Sequence, residues 1–356
     1  MDNYFLIITI IDVFVLGIMC IFAYNSDVLD KTQRFWFICS FLMIIAISLL
    51  EVVTVAVDGR EASLRWINVA ANYLGFGLSP SIPVFLVAAI GEKKTVKYAL
   101  AAEAVFLVVM AVLFPFKAVF YVDSGNHYVR GEMFWIYPAV YFAFVFYLLI
   151  MTLIVTSGFY NKSKKSIYLM VLFLLAVTMI QVLFSHIHVS WMSVSLLTIL
   201  FYIYFNSVWQ QLDNLTGLFN QKSYLNTTAS LRGKGILVVF DVDDFKKVND
   251  TYGHLMGDRC LREIATCIKD VYSKYGYCYR IGGDEFCVLL RPDTDLTECS
   301  TLMDAELEQK RKELPALPHI SAGAASFEPG DNVLDVKEAA DREMYRLKNE
   351  YKTQSL

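Results

Sequence analysis

Two adjacent acidic residues stand between two apolar segments of the chain. The sequence Gly-Gly-Asp-Glu-Phe fills positions 282–286, between the apolar stretches 277–281 and 287–290. This pattern predicts two strands joined by a turn that needs glycine, with Asp284 and Glu285 at its tip. Because Mg²⁺ prefers oxygen ligands such as carboxylates, the turn is a candidate metal site.

A third acidic residue follows an apolar, β-branched run at 236–240. The run predicts a buried strand that ends at Asp241, and ligands of α/β sheets bind at such strand ends. Alone, Asp241 would be interpreted as a solvated loop acid. Beside Asp284 and Glu285 it would complete a carboxylate cluster suited to holding two metal ions on a triphosphate.

The residues after Asp241 suggest a place for phosphate. Asp243 and Asp244 favour the start of a helix, whose free N–H groups attract phosphate oxygens. Lys246 adds a positive charge. The segment therefore predicts an anion-binding helix start next to the candidate metal site.

The rest of this half of the chain must position these groups. Its pattern predicts the following further elements: a helix at 255–275, a hairpin at 277–291, a helix at 295–314, a strand at 320–327 and a helix at 336–352. Strands and helices in this order are typical of an α/β (α+β) domain in which helices cover a sheet.

The first half of the chain has a different composition. Overall, 56% of the 356 residues are hydrophobic and the mean hydropathy is +0.47. Charged residues are sparse up to about Asn206 and dense from Asp213 onward, which predicts an all-α transmembrane bundle at 1–206 and a second domain at 207–356. The apolar runs that predict its spans are 4–24, 35–57, 66–90, 98–116, 134–157, 167–188 and 189–206.

Seven spans are the prediction, and six are the alternative, because only 186–190 separate the last two runs. The first run has no basic segment before it and no small-residue cleavage pattern after it, so it is counted as a span. Lys and Arg number eight in one set of alternate connections and four in the other, which predicts the N-terminus outside and 207–356 in the cytoplasm.

Ionisable residues within the runs are costly in lipid and indicate function by default. The alternative is that they only form hydrogen bonds inside the bundle or lie near an interface. Glycines and prolines in the third run also predict a kink or break there. The residues concerned are Asp12, Glu51, Glu103, His186 and His188, and Gly75, Gly77, Pro80 and Pro83.

Charge and cysteine content exclude some functions. The net charge of −4 and the lack of a long Lys/Arg run exclude a nucleic-acid surface. The seven cysteines form no CxxC pair, which indicates free thiols in a reducing compartment.

Four ordered motifs over 213–352 resemble the bacterial GGDEF domain, that of diguanylate cyclases. They are 213–220 (Asp-Asn-Leu-Thr-Gly-Leu-Phe-Asn), 241–258, 280–286 and 321–323 (Ser-Ala-Gly). The resemblance implies a nucleotidyl-cyclase-like fold with a central, mostly antiparallel sheet covered by helices. The loop 117–133 also resembles, weakly, that of seven-helix sensor regions of bacterial histidine kinases and cyclases.

The resemblance implies an enzyme that condenses two GTP molecules, one on each protomer of a homodimer, into cyclic di-GMP and two pyrophosphates. Asp241, the Val242 carbonyl, Asp284 and Glu285 would hold two Mg²⁺ ions in each active half-site, with Mn²⁺ as an alternative ion. Either Asp284 or Glu285 would also help to remove the ribose 3′-hydroxyl proton. The alternative function is a catalytically silent domain that binds nucleotide as a receptor or interaction module.

The resemblance also implies substrate-binding residues. Asn249 and Asp258 would read guanine, while Gly282 and Gly283 would let the backbone approach the nucleotide closely. The remaining members of this set are Asp244, Phe245, Lys246, Lys348 and Lys352. Lys246 and Lys348 would contact phosphate, although Lys348 is equally well interpreted as a solvated helix lysine.

One departure from the family pattern concerns feedback. Many family members carry Arg-x-x-Asp upstream of the glycine pair, but this chain has Ser-Lys-Tyr-Gly at 273–276. The inhibitory product site is therefore predicted to be absent. The whole pattern implies a multi-pass protein of the bacterial inner membrane that responds to an external or membrane-dissolved signal.

Overall fold

The computed structural model describes residues 3–354 except 92, 158, 160–164, 171, 174–175 and 177–189. Contacts divide the chain into two compact units, Met1–Trp209 and Gln210–Leu356. The first unit is helical and the second is built on a sheet.

The described helices of the first unit are α1 (Asn3–Tyr24), α2 (Lys31–Val57), α3 (Arg65–Leu78), α4 (Ser81–Ile90), α5 (Lys93–Leu113), α6 (Ile136–Thr156) and α7 (Ser190–Trp209). Among the described residues, six helices are long and apolar enough to cross a membrane, with 62–90 counted as one. Most of the predicted run 167–188 lies outside the described residues, as do His186 and His188. The choice between seven and six spans therefore stays a prediction.

The third apolar run is broken where its prolines and glycines predict a break. The helix α3 ends at Leu78 and α4 begins at Ser81, with Pro80 immediately before α4. Proline has no N–H to donate to the preceding turn, so one continuous helix is disfavoured there. The predicted break is confirmed.

Apolar side chains of the first unit lie both inside and outside the bundle. Phe37, Phe41 and Phe205 are fully buried, whereas Ile10 and Phe14 are 60% and 70% exposed. Large exposed apolar side chains on a helix are expected where lipid replaces water. The all-α bundle with apolar helices is as predicted.

The connection between α5 and α6 is structured. It forms a hairpin of β1 (Phe120–Val122) and β2 (Tyr128–Arg130). Asn126 at its tip adopts a left-handed conformation with φ 63° and is fully buried. The Asn68 amide donates to the Asn126 carbonyl oxygen over 3.1 Å and so ties the hairpin to α3.

The second unit contains one five-stranded sheet with helices on both sides. Its elements are β3 (Phe219–Asn220), α8 (Gln221–Thr228), β4 (Gly235–Val242), α9 (Phe245–Tyr252), α10 (His254–Tyr272), β5 (Gly276–Arg280), β6 (Glu285–Leu290), α11 (Leu296–Glu313), β7 (Ile320–Phe327) and α12 (Val333–Gln354). The strand order is β3-β5-β6-β4-β7, and only the β3–β5 pair is parallel. The predicted mostly antiparallel sheet covered by helices is confirmed.

The central strand β4 is buried on both faces. Its residues alternate: Val238 and Phe240 pack in a core with α10 and α11, whereas Leu237 and Val239 pack in a core with α12. This alternation follows from the two-residue period of a strand. The continuous apolar run at 236–240 therefore reflects helices on both faces.

The helix α12 approaches β7 very closely at Gly323. A Cβ atom at this position would lie 2.3 Å from the Ala340 carbonyl oxygen and 2.4 Å from the Met344 backbone nitrogen. Both obstacles are backbone atoms, so only glycine permits this packing. The packing sets the distance between α12 and the sheet.

Candidate active site

The two predicted acidic motifs lie side by side in the sheet. Asp241, near the end of β4, is paired in register with Glu285 at the start of β6. On its other side Asp241 is paired with Ser321 of β7. Directly paired residues of antiparallel strands have Cβ atoms about 5 Å apart, so the two carboxylates belong to one small region of the surface.

A lysine from α12 reaches the acidic end of β4. The Lys348 Nζ lies 2.6 Å from Asp241 Oδ2 and 2.7 Å from Asp243 Oδ1. The Ser321 hydroxyl donates to Asp243 over 2.9 Å. Burial lowers the pKa of Lys348, but the hydrogen bonds to Asp241 and Asp243 outweigh burial and raise it above its ordinary value. Lys348 is therefore a partly buried counter-ion rather than a solvated helix lysine.

Metal ligands are not preassembled in this arrangement. Within the described part of the chain, no three Asp, Glu, His or Cys side chains lie close enough together to hold a metal ion. Asp241, Asp284 and Glu285 offer hard oxygen atoms in neighbouring positions, and the Lys348 ammonium is the cation beside Asp241. The donor chemistry fits a divalent ion, and the assignment of Asp241, Val242, Asp284 and Glu285 as ligands stays a prediction.

The turn that carries Asp284 is held by an arginine. Arg280 Nη2 donates to the Gly283 carbonyl oxygen over 2.7 Å, and its Nη1 donates to Asp213 Oδ1 over 3.0 Å. Asp213 also accepts from the Thr216 backbone and hydroxyl. Burial raises the pKa of Asp213, but the hydrogen bonds from Thr216 and Arg280 together lower it by more. The pKa therefore lies below its ordinary value.

The role of Arg280 was not inferred from the sequence. Its position next to the glycine pair and the presence of Asp213 in the first motif were both visible, but nothing local joins them. The fold brings them together because β3, which follows the first motif, pairs with β5, which ends at Arg280. Arg280 thus connects two motifs that are 67 residues apart.

The turn at 282–286 does not hold its two glycines in the left-handed conformation that would require glycine. Neither Gly282 nor Gly283 has a positive φ. A Cβ atom on Gly283 would meet nothing within 4 Å, and one on Gly282 would meet the flexible Glu285 side chain at 3.1 Å. The expectation that the turn itself needs glycine is therefore wrong, and the open space beside Gly283 leaves room for a bound molecule.

The predicted guanine readers are held close together by two consecutive helices. Asn249 belongs to α9 and Asp258 to α10, with Gly253 at φ 81° between the helices. A Cβ atom on Gly257 would lie 2.1 Å from Asn249 Oδ1, so the Asn249 amide rests directly on the backbone beside Asp258. The Asn249 side chain thus lies beside the residue that precedes Asp258.

The remaining predicted substrate residues differ in their placement. Asp244 stands before α9 with φ 53°, and its side chain makes no capping hydrogen bond but lies 3.0 Å from Lys247 Nζ. The predicted helix start after Asp243 and Asp244 is confirmed, although the Asp244 side chain accepts no capping hydrogen bond. Phe245 packs against the core and contacts the Gly257 region, and Lys246 is exposed. Lys352 lies in α12, and its side chain is outside the described residues.

The stretch that replaces Arg-x-x-Asp lies between α10 and β5. Lys274 places its ammonium 4.7 Å from the centre of the Tyr275 ring, and Arg291 donates to the Lys274 carbonyl oxygen over 3.1 Å. These contacts join the connection to its own neighbouring residue and to Arg291, which follows β6.

Comparisons with known proteins identify the second unit. Residues 210–354 match the family described as "Diguanylate cyclase, GGDEF domain". Diguanylate cyclase DgcP of Pseudomonas aeruginosa is 35% identical over 153 residues, which cover 38% of this chain and 22% of the relative. Diguanylate cyclase DgcM of Escherichia coli is 30% identical over 148 residues, which cover 39% of this chain and 36% of the relative. The second unit is a GGDEF domain.

The chain thus spans about a third or less of the length of these curated relatives. Among solved structures, the coiled coil and GGDEF domain of DgcB from Caulobacter crescentus, in complex with c-di-GMP, is 26% identical. The match covers 39% of this chain and 81% of that chain, with a TM-score of 0.35.

Proposed function

We propose that this chain is a membrane-bound diguanylate cyclase that condenses two GTP molecules into cyclic di-GMP and two pyrophosphates. The observation that carries the proposal is the pairing of Asp241 with Glu285 on neighbouring strands. Asp284 precedes Glu285 in the same turn, and Asn249 lies beside Gly257 and the following Asp258. One domain thus contains carboxylates that would bind metal ions near the phosphates and polar side chains that would bind the guanine base.

Asp241, the Val242 carbonyl, Asp284 and Glu285 would hold the divalent ions, two in each half-site. The ions would be Mg²⁺, with Mn²⁺ as the alternative, and when bound they would polarise the α-phosphate and neutralise the leaving pyrophosphate. Binding of a cation at Asp241 removes the need for the Lys348 ammonium there. Lys348 would then turn from the carboxylates to a phosphate group of the substrate.

The other residues would bind and orient the nucleotide. Asp258 would accept hydrogen bonds from guanine N1–H and N2–H₂, a pair of donors that adenine lacks, and Asn249 would support it. Lys246, and to a lesser degree Lys352, would contact phosphate. Asp284 or Glu285 would accept the proton of the ribose 3′-hydroxyl as that oxygen attacks the α-phosphate of the second nucleotide.

The test uses the purified full-length protein in detergent with GTP and Mg²⁺, and it measures cyclic di-GMP by mass spectrometry. Asp241→Asn and Glu285→Gln should each lower the rate by about 100-fold or more, as expected when a group that stabilises transition-state charge is lost. Glu313→Gln, at an exposed position at the end of α11, is the matched control and should leave the rate unchanged.

Two outcomes would contradict the proposal. Absence of product at every protein concentration, with GTP still bound, would favour the silent nucleotide receptor. Equal rates for the wild type and Glu285→Gln would show that Glu285 does not belong to the active site.

The requirement for a metal ion has its own test. Chelation of the metal with EDTA should stop the reaction, and added Mg²⁺ or Mn²⁺ should restore it.

The two-substrate reaction would need a homodimer, because each protomer would hold one GTP. Product formation per protomer should therefore rise with protein concentration across the dissociation range. A rate that is strictly proportional to protein concentration over this range would contradict the arrangement of two half-sites.

The first unit, Met1–Trp209, is called the membrane unit below. It would place the enzyme in the bacterial inner membrane with its GGDEF domain in the cytoplasm. The helix α7 ends at Trp209, and the GGDEF domain begins at the next residue. An external or membrane-dissolved signal would act through the first unit on how two GGDEF domains meet. A reporter enzyme that is active only in the periplasm, fused to the N-terminus, tests the orientation. It should be active, and an inactive reporter would place the N-terminus in the cytoplasm and contradict the proposal.

A further inference from the structure

A cavity lies in the GGDEF domain away from the acidic end of β4. Its volume is about 400 Å³, which is within the usual range for small-molecule sites. The end of α8, the start of β4, the end of β7 and the start of α12 contribute to its wall. Leu237, which lines it, stands four residues before Asp241 on β4, about 13 Å along the strand. The cavity is therefore separate from the candidate active site.

One part of the cavity wall is apolar. The large apolar side chains that line it are those of Leu231, Leu237, Leu289, Phe327, Val333 and Val336. Four of them are buried in the core between the sheet and α12, and the other two are partly buried against that core. A ligand with an apolar body would remove this surface from water, which favours binding.

The turn after β7 gives the cavity a preformed edge. Asp331 donates its backbone N–H to the Glu328 carbonyl oxygen over 3.2 Å, and its carboxylate accepts from the Glu328 backbone N–H over 2.8 Å. Next to this turn, a Cβ atom on Gly235 would lie 2.4 Å from Phe327 Cζ, so the Phe327 ring rests on the β4 backbone. The fold thus forms the cavity without a ligand, as is usual for small-molecule sites.

The charged residues that line the cavity differ in their partners. They are Arg232, Glu328 and Asp331. Glu328 Oε2 lies 2.9 Å from Lys234 Nζ, and Asp331 accepts the backbone hydrogen bond just described. Arg232 is exposed, and its side chain makes no hydrogen bond or ion pair with the described residues. The planar guanidinium group fits a carboxylate with two parallel hydrogen bonds. The Arg232 side chain is therefore available to an acidic ligand.

We infer that this cavity binds a small organic molecule that has an apolar body and a single carboxylate group. The body would lie against Leu237, Phe327 and Val336, and the carboxylate would accept hydrogen bonds from Arg232. A phosphate monoester carries nearly two negative charges at neutral pH. Glu328 and Asp331 would repel such a group more strongly than a carboxylate, so the ligand is a monocarboxylate.

The inference is independent of the cyclase activity, and its test measures binding. The probe is hydrocinnamate, a phenyl ring on a short carboxylic acid. Isothermal titration calorimetry of the full-length protein in detergent measures its dissociation constant, with protein-free detergent as the blank because micelles also take up apolar molecules. Hydrocinnamamide lacks the charge and acetate lacks the apolar body. Each should bind about tenfold or more weakly than hydrocinnamate.

The variants separate the two parts of the cavity. Arg232→Gln should weaken hydrocinnamate binding about tenfold or more, because hydrogen bonds between charged groups are lost. Arg262→Gln is the matched control, since Arg262 is an exposed arginine of α10 that does not line the cavity and has no ion pair with the described residues. It should bind hydrocinnamate like the wild type. Val333→Trp should fill the cavity and abolish binding.

Several results would overturn the inference. They are the lack of saturable hydrocinnamate binding, equal binding of hydrocinnamate and its amide, and equal binding by the wild type and Arg232→Gln. Unchanged binding in Val333→Trp would place the ligand elsewhere and would also overturn it. Arg232→Gln preserves the test if Val333→Trp does not fold, because the Arg232 side chain is exposed and has no described partner to lose.

Discussion

Carboxylates of the two units have different partners. In the membrane unit, Glu103 is 6% exposed and accepts from the Ser81 hydroxyl over 2.8 Å. In the GGDEF domain, Asp241 and Asp243 contact the Lys348 ammonium over 2.6 and 2.7 Å. The membrane unit thus pairs an acid with a neutral group, and the GGDEF domain pairs its acids with a charge.

The partners determine which charge states each unit accepts. A serine hydroxyl donates to an ionised carboxyl and accepts from a protonated one, so it serves both forms. An ammonium group only donates, and it favours ionised carboxylates. The acids of the GGDEF domain therefore lie against a cation, while Glu103 of the membrane unit lies against a hydroxyl that can serve either form of the carboxyl group.

The largest expected effect comes from removing the ammonium group of Lys348. Lys348→Met should lower the stability of metal-free protein by about 1.5–3 kcal/mol, because hydrogen bonds to charged groups are lost and two carboxylates face each other. Thermal unfolding with and without Mg²⁺ measures the effect. Added Mg²⁺ should raise the midpoint of Lys348→Met more than that of the wild type, since it replaces the missing cation.

A second lysine of α12 provides the control. Lys337 pairs with Asp341 one turn later over 3.2 Å, a contact that does not involve the acidic end of β4. Lys337→Met should cost about 0.5 kcal/mol, typical of such helix pairs, and should not change the Mg²⁺ response. If both variants lost the same stability, the counter-ion role of Lys348 would be wrong.

A smaller effect is expected where the GGDEF domain positions an uncharged side chain. Gly257→Ala would place a Cβ atom 2.1 Å from Asn249 Oδ1, so the Asn249 amide must move. The loss of one hydrogen bond of about 1.4 kcal/mol should raise the KM for GTP about tenfold with little change in stability. Kinetics of product formation measure it.

Gly233→Ala is the control for this substitution. A Cβ atom at Gly233 meets nothing within 4 Å, and its φ is not positive. Its kinetics should match those of the wild type. An unchanged KM in Gly257→Ala would mean that Asn249 does not contact the nucleotide.

Local features of the second unit could be predicted from the sequence. The β4 strand and the β5–β6 hairpin follow from short apolar runs, and their bounds agree with the prediction within two residues. The short strand β3 and the helix α8 were not predicted, because two strand residues give no periodicity to detect.

The contacts between distant segments could not be predicted. Lys348 reaches Asp241 because Gly323 lets α12 lie on β7, and no local pattern encodes this packing. Arg280 likewise meets Asp213 through the β3–β5 pairing. In the membrane unit, the apolar runs indicated the helices, but the pairing of Asp12 with Ser195 joins residues 183 positions apart.

A pH experiment sharpens the comparison for an ionised carboxylate. The folded-state pKa of Asp213 lies below its ordinary value of 3.8 because the hydrogen bonds from Thr216 and Arg280 outweigh burial. Its stabilisation of the fold is therefore complete above the unfolded-state pKa and is lost as the pH falls through the folded-state pKa. Asp213→Asn should cost about 1 kcal/mol at pH 6 and progressively less below about pH 4.

Thermal midpoints between pH 3 and 7 measure this difference. Asp293→Asn, at an exposed position before α11, is the control and should follow the wild type throughout. A cost of Asp213→Asn that stays constant down to pH 3 would show that the charge of Asp213 is not what stabilises the first motif.

The smallest effect is expected when an acid of the membrane unit loses its charge. Glu103→Gln keeps the shape of the side chain and an oxygen that accepts from Ser81. The free energy of unfolding, obtained from the thermal midpoint, should therefore change by about 0.5 kcal/mol or less. Ser81→Ala removes the hydroxyl and should cost about 0.6 kcal/mol, the average for hydrogen bonds between membrane helices. A loss above about 2 kcal/mol in Glu103→Gln would mean that the membrane unit needs Glu103 as an anion, and the contrast between the two units would not hold.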